Sequence, residues 1–307
     1  MAAISVIIPT YNRPRLLRRA VESARTAGTD VEIIVVDDAS IDETAEVCRE
    51  LKDIRYVRLE RNQGVAGARN VGILESTGKY VAFLDDDDLR LPGSLDAQAA
   101  ILEENPGAGF VCGAMVMADQ EYQPTGEVFL PRSSGDVFWH LLELDFPVMP
   151  LSTLVRKECF LRVGLLNRKL IGIDDWDIFT RIAEVYPVLL IDQPMGIYRQ
   201  PTPSSAQGSS SQATQLLRAS RQQLQLLKLP RAISAPASQR RSTRRRAINR
   251  IADTLLWNAA RQLPRGEYRA LYENILGALR LSPLRVARPR AYKNLAERLL
   301  LKSEIKS

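Results

Sequence analysis

Along the first quarter of the chain, short apolar runs alternate with segments whose apolar residues recur at helical spacing. Residues 4–8, 31–36, 54–59 and 80–84 are rich in β-branched side chains, and two of these runs are apolar at nearly every position. That pattern predicts parallel strands covered on both faces. Between them, residues 14–26, 41–52 and 65–76 read as helices. Pro14 suits a first helical position, and Ser40 with Glu43 has the spacing of a capping box. Repeated strand–helix–strand units imply an α/β fold with a doubly wound sheet, whose ligands bind beyond the carboxyl ends of the strands.

After Pro92 the periodicity loosens. A strand is predicted over 109–117, a short helix over 137–144, a strand over 152–156, a helix over 176–184 and a strand over 188–191. These complete a mixed α/β domain. Residues 200–211 are polar and rich in Pro, Ser and Gly, the composition of a linker or mobile loop. Beyond them two helical stripes emerge, Ile248, Ile251, Leu255, Leu256 and Ala259 in one, Tyr268, Leu271, Tyr272, Ile275, Leu276 and Leu279 in the other. Pro264, Arg265 and Gly266 separate them. They are expected to pack as an antiparallel pair that buries both stripes. The expected organisation is a domain over 1–204, a linker with a first tail helix over 205–237, and a basic helical region over 238–307.

Charge sharpens this division. Residues 1–205 carry 21 Lys and Arg against 31 Asp and Glu, whereas residues 206–307 carry 21 against 5. An acidic body can hold cations, and a basic tail can seek phosphates or an anionic surface. Arg231, Arg240, Arg241, Arg244, Arg245, Arg246 and Arg250 have three destinations: carboxylates of the acidic body, anionic lipid, or nucleic acid. The last is disfavoured, because no aromatic platform or binding motif accompanies them. The three cysteines, Cys48, Cys112 and Cys159, are widely spaced and odd in number, which argues against a disulfide framework and for a reducing compartment. No signal peptide is expected at the N-terminus, and no apolar run approaches the roughly 18 residues of a membrane span. Membrane contact, if made, is expected to be peripheral.

Three acidic constellations carry the candidate chemistry. Asp37 and Asp38 follow the strand ending at Val36. They either close the turn, with Ser40 capping the next helix, or meet a ligand donor such as a base N–H, a ribose hydroxyl or a cation. Asp85, Asp86, Asp87 and Asp88 follow another apolar strand and precede Leu89, Leu91 and Pro92. A solvated acidic loop is one reading. The other is a cluster of hard oxygen ligands for Mg²⁺ or Mn²⁺, which commonly bring phosphates with them. Asp174, Asp175 and Asp177 open a helix beside Trp176. There they either complement the helix dipole or supply a carboxylate base against an aromatic wall. A divalent ion, a phosphate leaving group and a separate base together describe group transfer from an activated donor.

In these pieces, residues 4–199 resemble the family 2 glycosyltransferases of the GT-A fold. The matching stretches run from Ser5 through Pro9, Thr10, Tyr11 and Asn12 to Arg13; Val35 to Asp38; Asn62 through Gly64 and Arg69 to Gly72; Gly78 to Asp88; and Asp174 to Trp176. The resemblance implies a Rossmann-like mixed sheet flanked by helices, followed here by a C-terminal helical extension. It also implies inverting transfer of a sugar from a nucleotide-diphosphate donor to a hydroxyl acceptor, such as a polysaccharide or lipid-linked sugar, in the cytoplasm or at the inner face of the cell membrane.

Carried over residue by residue, the resemblance places Pro9, Thr10, Tyr11, Asn12 and Arg13 along the nucleotide pocket, with Asp38 accepting from the base and Arg69 helping to hold the nucleotide. Asp85, Asp86 and Asp87 match the Asp-x-Asp element: Asp87 as metal ligand, Asp85 near the donor sugar and the metal, Asp86 near the ribose. Asp175 matches the general base. Asp174, where relatives more often have Glu, and Trp176 flank the donor sugar or acceptor. Many relatives carry a His in the segment matching residues 198–204. This chain has none there, so Gln200, water or donor phosphates are expected to complete the metal shell. The sole histidine, His140, reads as a packed helix residue. Two other functions fit parts of the pattern. Phosphoryl transfer in a receiver-like domain lacks the later Thr or Ser and Lys that it needs; a non-catalytic nucleotide-sugar binding module with a partner-recruiting tail differs only in turnover.

Overall fold

The computed structural model describes residues 3–200, apart from Arg132, Pro147 and Ile171, and residues 213–287. The chain divides into two compact units. The first comprises Met1–Phe138 and Phe146–Gln200, the second Trp139–Asp145 and Pro201–Ser307.

The first unit is built on one mixed nine-stranded sheet. Strands β1 (Ile4–Thr10), β2 (Val31–Asp37), β3 (Ile54–Arg58) and β4 (Tyr80–Phe83) are parallel, in the order β3-β2-β1-β4. Helices α1 (Pro14–Thr26), α2 (Thr44–Glu50) and α3 (Gly64–Glu75) make the crossovers between them. β1 is buried along its whole length, as its unbroken apolar run predicts. Its alternate residues Ile4, Val6 and Ile8 pack with Leu17, Val21 and Ala24 of α1 and with Val35 of β2. On the other face α3 approaches closely. A Cβ added at Gly72 would stand 2.3 Å from Cγ2 of Ile7, so only glycine lets the helix lie this near the strand.

The sheet continues through β8 (Thr153–Arg156), β6 (Phe110–Ala118), β9 (Val188–Arg199) and β5 (Leu89–Arg90), with β7 (Pro124–Phe129) paired to β6. β8 runs antiparallel to both β4 and β6, whereas β9 lies parallel to β6. Helices α4 (Ser94–Glu104), α6 (Lys157–Val163) and α7 (Asp174–Val185) flank it, and α5 (Phe138–Leu142) lies at the point where the chain passes to the second unit.

Several elements depart from the pattern-based expectation. The strand predicted over 188–191 runs twelve residues to Arg199. Past residue 191 the ladder continues through Asp192, Gln193 and Pro194 with register shifts around Ala114, an irregularity of the kind that tolerates a proline. α2 begins at Thr44 rather than near Ile41. Its start is held by the Asp42 carboxylate, which accepts from the Thr44 N–H at 3.0 Å. The Ser40–Glu43 capping box does not form, because the Ser40 hydroxyl instead accepts from the Asn12 N–H at 2.9 Å. β5, β7, α4 and α6 were not legible from periodicity; they are short or weakly amphipathic.

The second unit contains α8 (Ala213–Gln223), α9 (Pro230–Ser234), α10 (Ala237–Gln262), α11 (Tyr268–Leu281) and α12 (Pro283–Val286). α10 and α11 form an antiparallel hairpin. Asn274 Nδ2 donates to Gln262 Oε1 near the turn, the Ser282 hydroxyl donates to Asn249 Oδ1, and Arg285 pairs with Asp253 farther along. Ile251, Leu255, Leu256 and Ala259 of α10 are buried, as their stripe predicts. α11 is turned the other way. It packs through Asn274, Gly277 and Ala278, while Tyr268, Tyr272, Ile275 and Leu279 are 69%, 63%, 36% and 42% exposed. The small residues decide this. A Cβ on Gly277 would be only 3.3 Å from Leu255 and 3.4 Å from Leu217, so the hairpin closes on the Gly–Ala face and leaves the bulky one outside. Glu143 and Asp145 belong to this unit and pair with Arg246 and Arg250. His140, nearly half exposed, lies 3.7 Å from Asp145 and is not packed. Among the described residues no helix is long and apolar enough to cross a membrane. The part of the expected linker over 201–212 and the chain end over 288–307 lie outside the described residues.

Gly72→Ala is expected to lower the stability of the first unit by about 1–3 kcal/mol through overpacking against Ile7, read as a reduced denaturation midpoint for the unit's unfolding in urea. An unchanged midpoint would show that α3 can shift without cost.

Candidate functional site

The loops at the carboxyl ends of β1, β2 and β4 are stitched to one another by their own polar groups. Beyond β1, Asn12 adopts a left-handed conformation (φ 54°) and Ala39, beyond β2, does the same (φ 66°). The two loops exchange hydrogen bonds: Ser40 Oγ accepts from the Asn12 N–H, and Asn12 Oδ1 accepts from the Ile41 N–H at 2.8 Å. Non-glycine residues in this region store strain, which persists where surrounding bonds over-determine the backbone.

Asp37 and Asp38 are both buried, and they divide the labour. Asp37 accepts from the Ser40 N–H at 2.8 Å and from the Tyr56 hydroxyl at 2.7 Å, so it closes the turn. Asp38 accepts from the N–H groups of Gln63 and Gly64 at 2.6 and 2.8 Å, holding the start of α3. Burial nevertheless pushes the Asp38 carboxyl above the ordinary range, with Asp37 adding to the shift and the Arg168 guanidinium opposing it. Each Asp38 oxygen keeps a second lone pair for a further donor.

The acidic run after β4 is pulled in two directions. Asp86 is buried, accepting from the Thr10 hydroxyl at 2.7 Å and from Arg13 at 3.0 Å. Desolvation raises its pKa to about 7 even so. Arg13 also bridges to Asp87 at 2.7 Å. Asp87 is raised by burial and by the charge of Asp85. The Tyr122 hydroxyl donates to the Asp87 carbonyl at 3.0 Å, with the guanidinium of Arg19 4.8 Å and that of Arg199 5.7 Å from its ring centroid. Asp88 points away from this group. It is buried, accepts from the Arg199 N–H at 2.9 Å, and is raised well above the carboxylate range by desolvation and by Asp85 and Asp87.

Asp85 turns toward α3, where Arg69 meets it at 2.6 Å and reaches Asp174 at 3.4 Å. Arg69 is 4% exposed and held firmly in its charged form by Asp85, Asp174 and Asp175 despite its burial. Its guanidinium is thereby engaged by Asp85 and Asp174. Asp175, half-buried in the first turn of α7, accepts from the Trp176 N–H at 2.7 Å. Burial and the neighbouring Asp174 carboxylate push it up to about 7. Asp177 takes no part in this group: it accepts from Arg181, which ties α7 to the carbonyls of Val163 and Leu165.

Thr10, Arg13, Asp85, Asp86, Asp87, Asp174 and Asp175 are therefore linked through two arginines at one end of the sheet. Pro9, Tyr11, Asn12 and Asp38 sit in the adjoining loops. Tyr198 belongs to the same group and was not singled out by sequence. Burial and the charges of Asp88, Asp85, Asp87 and Asp175 all push its phenol up. A lone aromatic near the end of a strand gives no sequence signal. Arg168, whose charge is felt at Asp38, is another such residue.

The fit for a divalent cation follows from the charge balance. Among the described residues, five carboxylates, Asp85, Asp86, Asp87, Asp174 and Asp175, are set against two ion-paired guanidiniums, Arg13 and Arg69. Among the described residues no three Asp, Glu, His or Cys side chains form a ready metal cage. A site that shares its ion between one or two carboxylates and substrate phosphates suits both observations.

Comparison with known proteins agrees with this architecture. Residues 5–143 match the family described as "Glycosyl transferase family 2". A Campylobacter jejuni protein named GalNAc(5)-diNAcBac-PP-undecaprenol beta-1,3-glucosyltransferase is 42% identical over 120 residues, covering 37% of this chain and 38% of that protein. An uncharacterized glycosyltransferase of Haemophilus influenzae is 28% identical over 184 residues, 59% of this chain and 62% of its own length. A Rickettsia bellii relative, 32% identical over 190 residues or 56% of this chain, is matched over 27% of its length. The chain thus spans less than two thirds of each of these curated relatives. Among solved structures, S. aureus TarS 1-349 in complex with UDP-GlcNAc has a TM-score of 0.57 at 16% identity, covering 91% of this chain and 90% of that one. The mannosyltransferase PcManGT from Pyrobaculum calidifontis, in complex with GDP-Man and Mn²⁺, has a TM-score of 0.55 at 19% identity over 98% of this chain and 80% of its own. At these identities the likeness establishes the fold, GT-A with extra C-terminal helices.

Replacing Arg69 by Met leaves half-buried Asp85 and buried Asp174 without their counter-charge and is expected to cost about 3–5 kcal/mol, measured by urea denaturation. Arg69→Lys should recover only part of the loss, since an ammonium lacks the planar fork. Full recovery by Lys would mean that charge alone, and not the two-carboxylate geometry, is what matters.

Proposed function

From the match of residues 5–143 to the glycosyl transferase family 2 model, we propose that the protein is an inverting glycosyltransferase moving a sugar from a nucleoside-diphosphate donor to a hydroxyl of a lipid-linked sugar. The observation that carries this reading is the juncture at Arg69, which joins Asp85 of the loop after β4 to Asp174 at the start of α7, next to Asp175, whose carboxyl is pushed up to about 7 by burial and by Asp174. The acceptor class is supported by two relatives. One is the Campylobacter jejuni protein above; the other is an Escherichia coli protein named UDP-Glc:alpha-D-GlcNAc-diphosphoundecaprenol beta-1,3-glucosyltransferase WfaP, 36% identical over 106 residues.

In this reading the nucleotide lies across the loops after β1 and β2, lined by Pro9, Thr10, Tyr11, Asn12 and Arg13. Asp38 accepts from the base with the lone pairs that Gln63 and Gly64 leave free, and Asp86, locked by Thr10 and Arg13, addresses the ribose. Asp87 and Asp85 would hold a divalent ion, Mg²⁺ or Mn²⁺, together with the donor's phosphates. When bound, such an ion supplies counter-charge for the departing nucleoside diphosphate. Asp174 and Trp176 border the donor sugar and acceptor. Asp175 takes the proton of the acceptor hydroxyl as its oxygen attacks the anomeric carbon opposite the leaving diphosphate. The bond to the diphosphate breaks as the new glycosidic bond forms, so an α-linked donor gives a β-linked product. A base with a pKa near the working pH is best matched to this step.

Asp175→Asn is expected to leave nucleotide binding near wild type, by calorimetry, and to lower turnover by at least about a hundredfold, by released nucleotide. Wild-type turnover in that variant would reject the base assignment, and donor binding without any transfer in the wild type would return the chain to a nucleotide-sugar binding module. Asp87→Ala or EDTA should weaken donor binding, and an affinity insensitive to both rejects the metal assignment.

The pH profile gives an independent check. Because Asp175 must be ionised to accept the proton and its pKa is raised, kcat/KM should climb with pH through an apparent pKa near 7, a value belonging to the Asp174–Asp175 pair together. A profile flat from pH 5 to 8 would contradict it.

A further inference from the structure

The second unit leaves its most apolar helix face in solvent. On α11 the exposed residues Tyr268, Tyr272, Ile275 and Leu279 follow one another at spacings of four, three and four, which sets them in a single row opposite the Asn274, Gly277 and Ala278 face that packs on α10. The row is about 16 Å long at the helical rise. Leu263 precedes it and Leu284 of α12 follows it, 58% and 78% exposed. A helix that is apolar on two opposite faces has a second burial surface still to satisfy.

Charge identifies the partner. Residues 139–145 and 213–287 carry fifteen Lys and Arg against five Asp and Glu, and four of those carboxylates are already paired, with Arg246, Arg250, Arg269 and Arg285. Arg269 and Arg280 flank the row on α11 itself, Arg261 ends α10, and Arg265 lies in the turn before α11. Two tyrosines, two aliphatic side chains and long basic side chains along one helix match the chemistry of a bilayer surface. Tyrosine is favoured at the headgroup level, aliphatic groups reach the acyl boundary, and arginine stems lie along apolar surface while their heads meet lipid phosphates.

We propose that the exposed face of α11 is a membrane-docking surface for anionic phospholipid, with Tyr268, Tyr272, Ile275 and Leu279 entering the interface and the surrounding arginines supplying the attraction. This goes beyond the transferase reading and does not rest on it, although an acceptor carried on a lipid would need an enzyme held at the bilayer. It also differs from a purely electrostatic tether, because the apolar row is required.

The test is co-sedimentation of the full chain with vesicles of phosphatidylcholine alone and with a third phosphatidylglycerol. Binding is expected to the anionic vesicles, to weaken as salt rises, and to fall about tenfold or more in Tyr268→Ser/Tyr272→Ser/Leu279→Ser. Thermal unfolding of that variant should match wild type, since the replaced side chains face solvent. Nucleotide binding by the same variant, measured in parallel, should be unchanged, which keeps a failure here separate from a failure of the transferase assignment. Absence of binding to the anionic vesicles would overturn the proposal. So would equal binding by the serine variant, which would leave the arginines acting alone. Light scattering that shows a wild-type dimer and a monomeric serine variant would assign the face to a second copy. That result rejects the lipid.

Discussion

One buried guanidinium sets the terms for the candidate site. Asp85 and Asp174 come from segments 89 positions apart in sequence, and two like charges brought under the surface repel each other by more than either gains from packing. Arg69 removes that obstacle by bonding both. Its position depends in turn on backbone: α3 must lie against β1, and Gly72 permits the approach to Ile7. A methyl group three residues along the helix would therefore disturb the charge arrangement without touching a carboxylate. The same pairing places α7, and Asp175 with it, beside the loop after β4.

Carboxylates in the first unit fall into two kinds. Asp37, Asp38, Asp88 and Asp177 have oxygens engaged by backbone N–H groups, a tyrosine or an arginine, and they fasten turns and helix starts. Asp85, Asp86, Asp87, Asp174 and Asp175 have two arginines among five, and burial, with the neighbouring carboxylates adding to it, keeps several of them above the ordinary carboxylate range. The distinction matters for function. A carboxylate whose oxygens fasten a turn is fixed in place, whereas one that shares its counter-charge with others gains from a cation, a hydroxyl or a proton.

The parallel half of the sheet was readable because each strand is buried on both faces and announces itself as an unbroken apolar run. The acidic groups were readable because they end those runs. What escaped was set by three-dimensional accounting. Ser40 and Glu43 have the spacing of a cap, yet Ser40 serves Asn12 in a neighbouring loop, and local spacing carries no record of that competition. The strand predicted over 188–191 stops short because a bulged ladder beside β6 at Asp192, Gln193 and Pro194 is not a local property. Tyr198 joins the acidic group only because β9 continues to Arg199. The role of Arg69 was the subtlest case: the motif containing it was recognised, but its burial between two carboxylates depends on helix and strand packing.

The second unit shows the same limit from the opposite side. Periodicity identified the large apolar row on α11 as the face to be buried, which is sound wherever transfer from water dominates, since side chains of this size gain about 1.5–3 kcal/mol each on full burial. The hairpin nevertheless closes on Asn274, Gly277 and Ala278. Small residues admit the backbone of α11 close to Leu255 and Leu217, so the buried side of the interface gains contact density from α10 and α8 rather than from α11. Asn274 then meets Gln262 inside the interface, a polar pair that fixes the register of the two helices. Burial of the tyrosine row instead would place that pair in water and lose the registration. The exposed row is the other side of that choice, and its amino acids are ones that membrane interfaces favour.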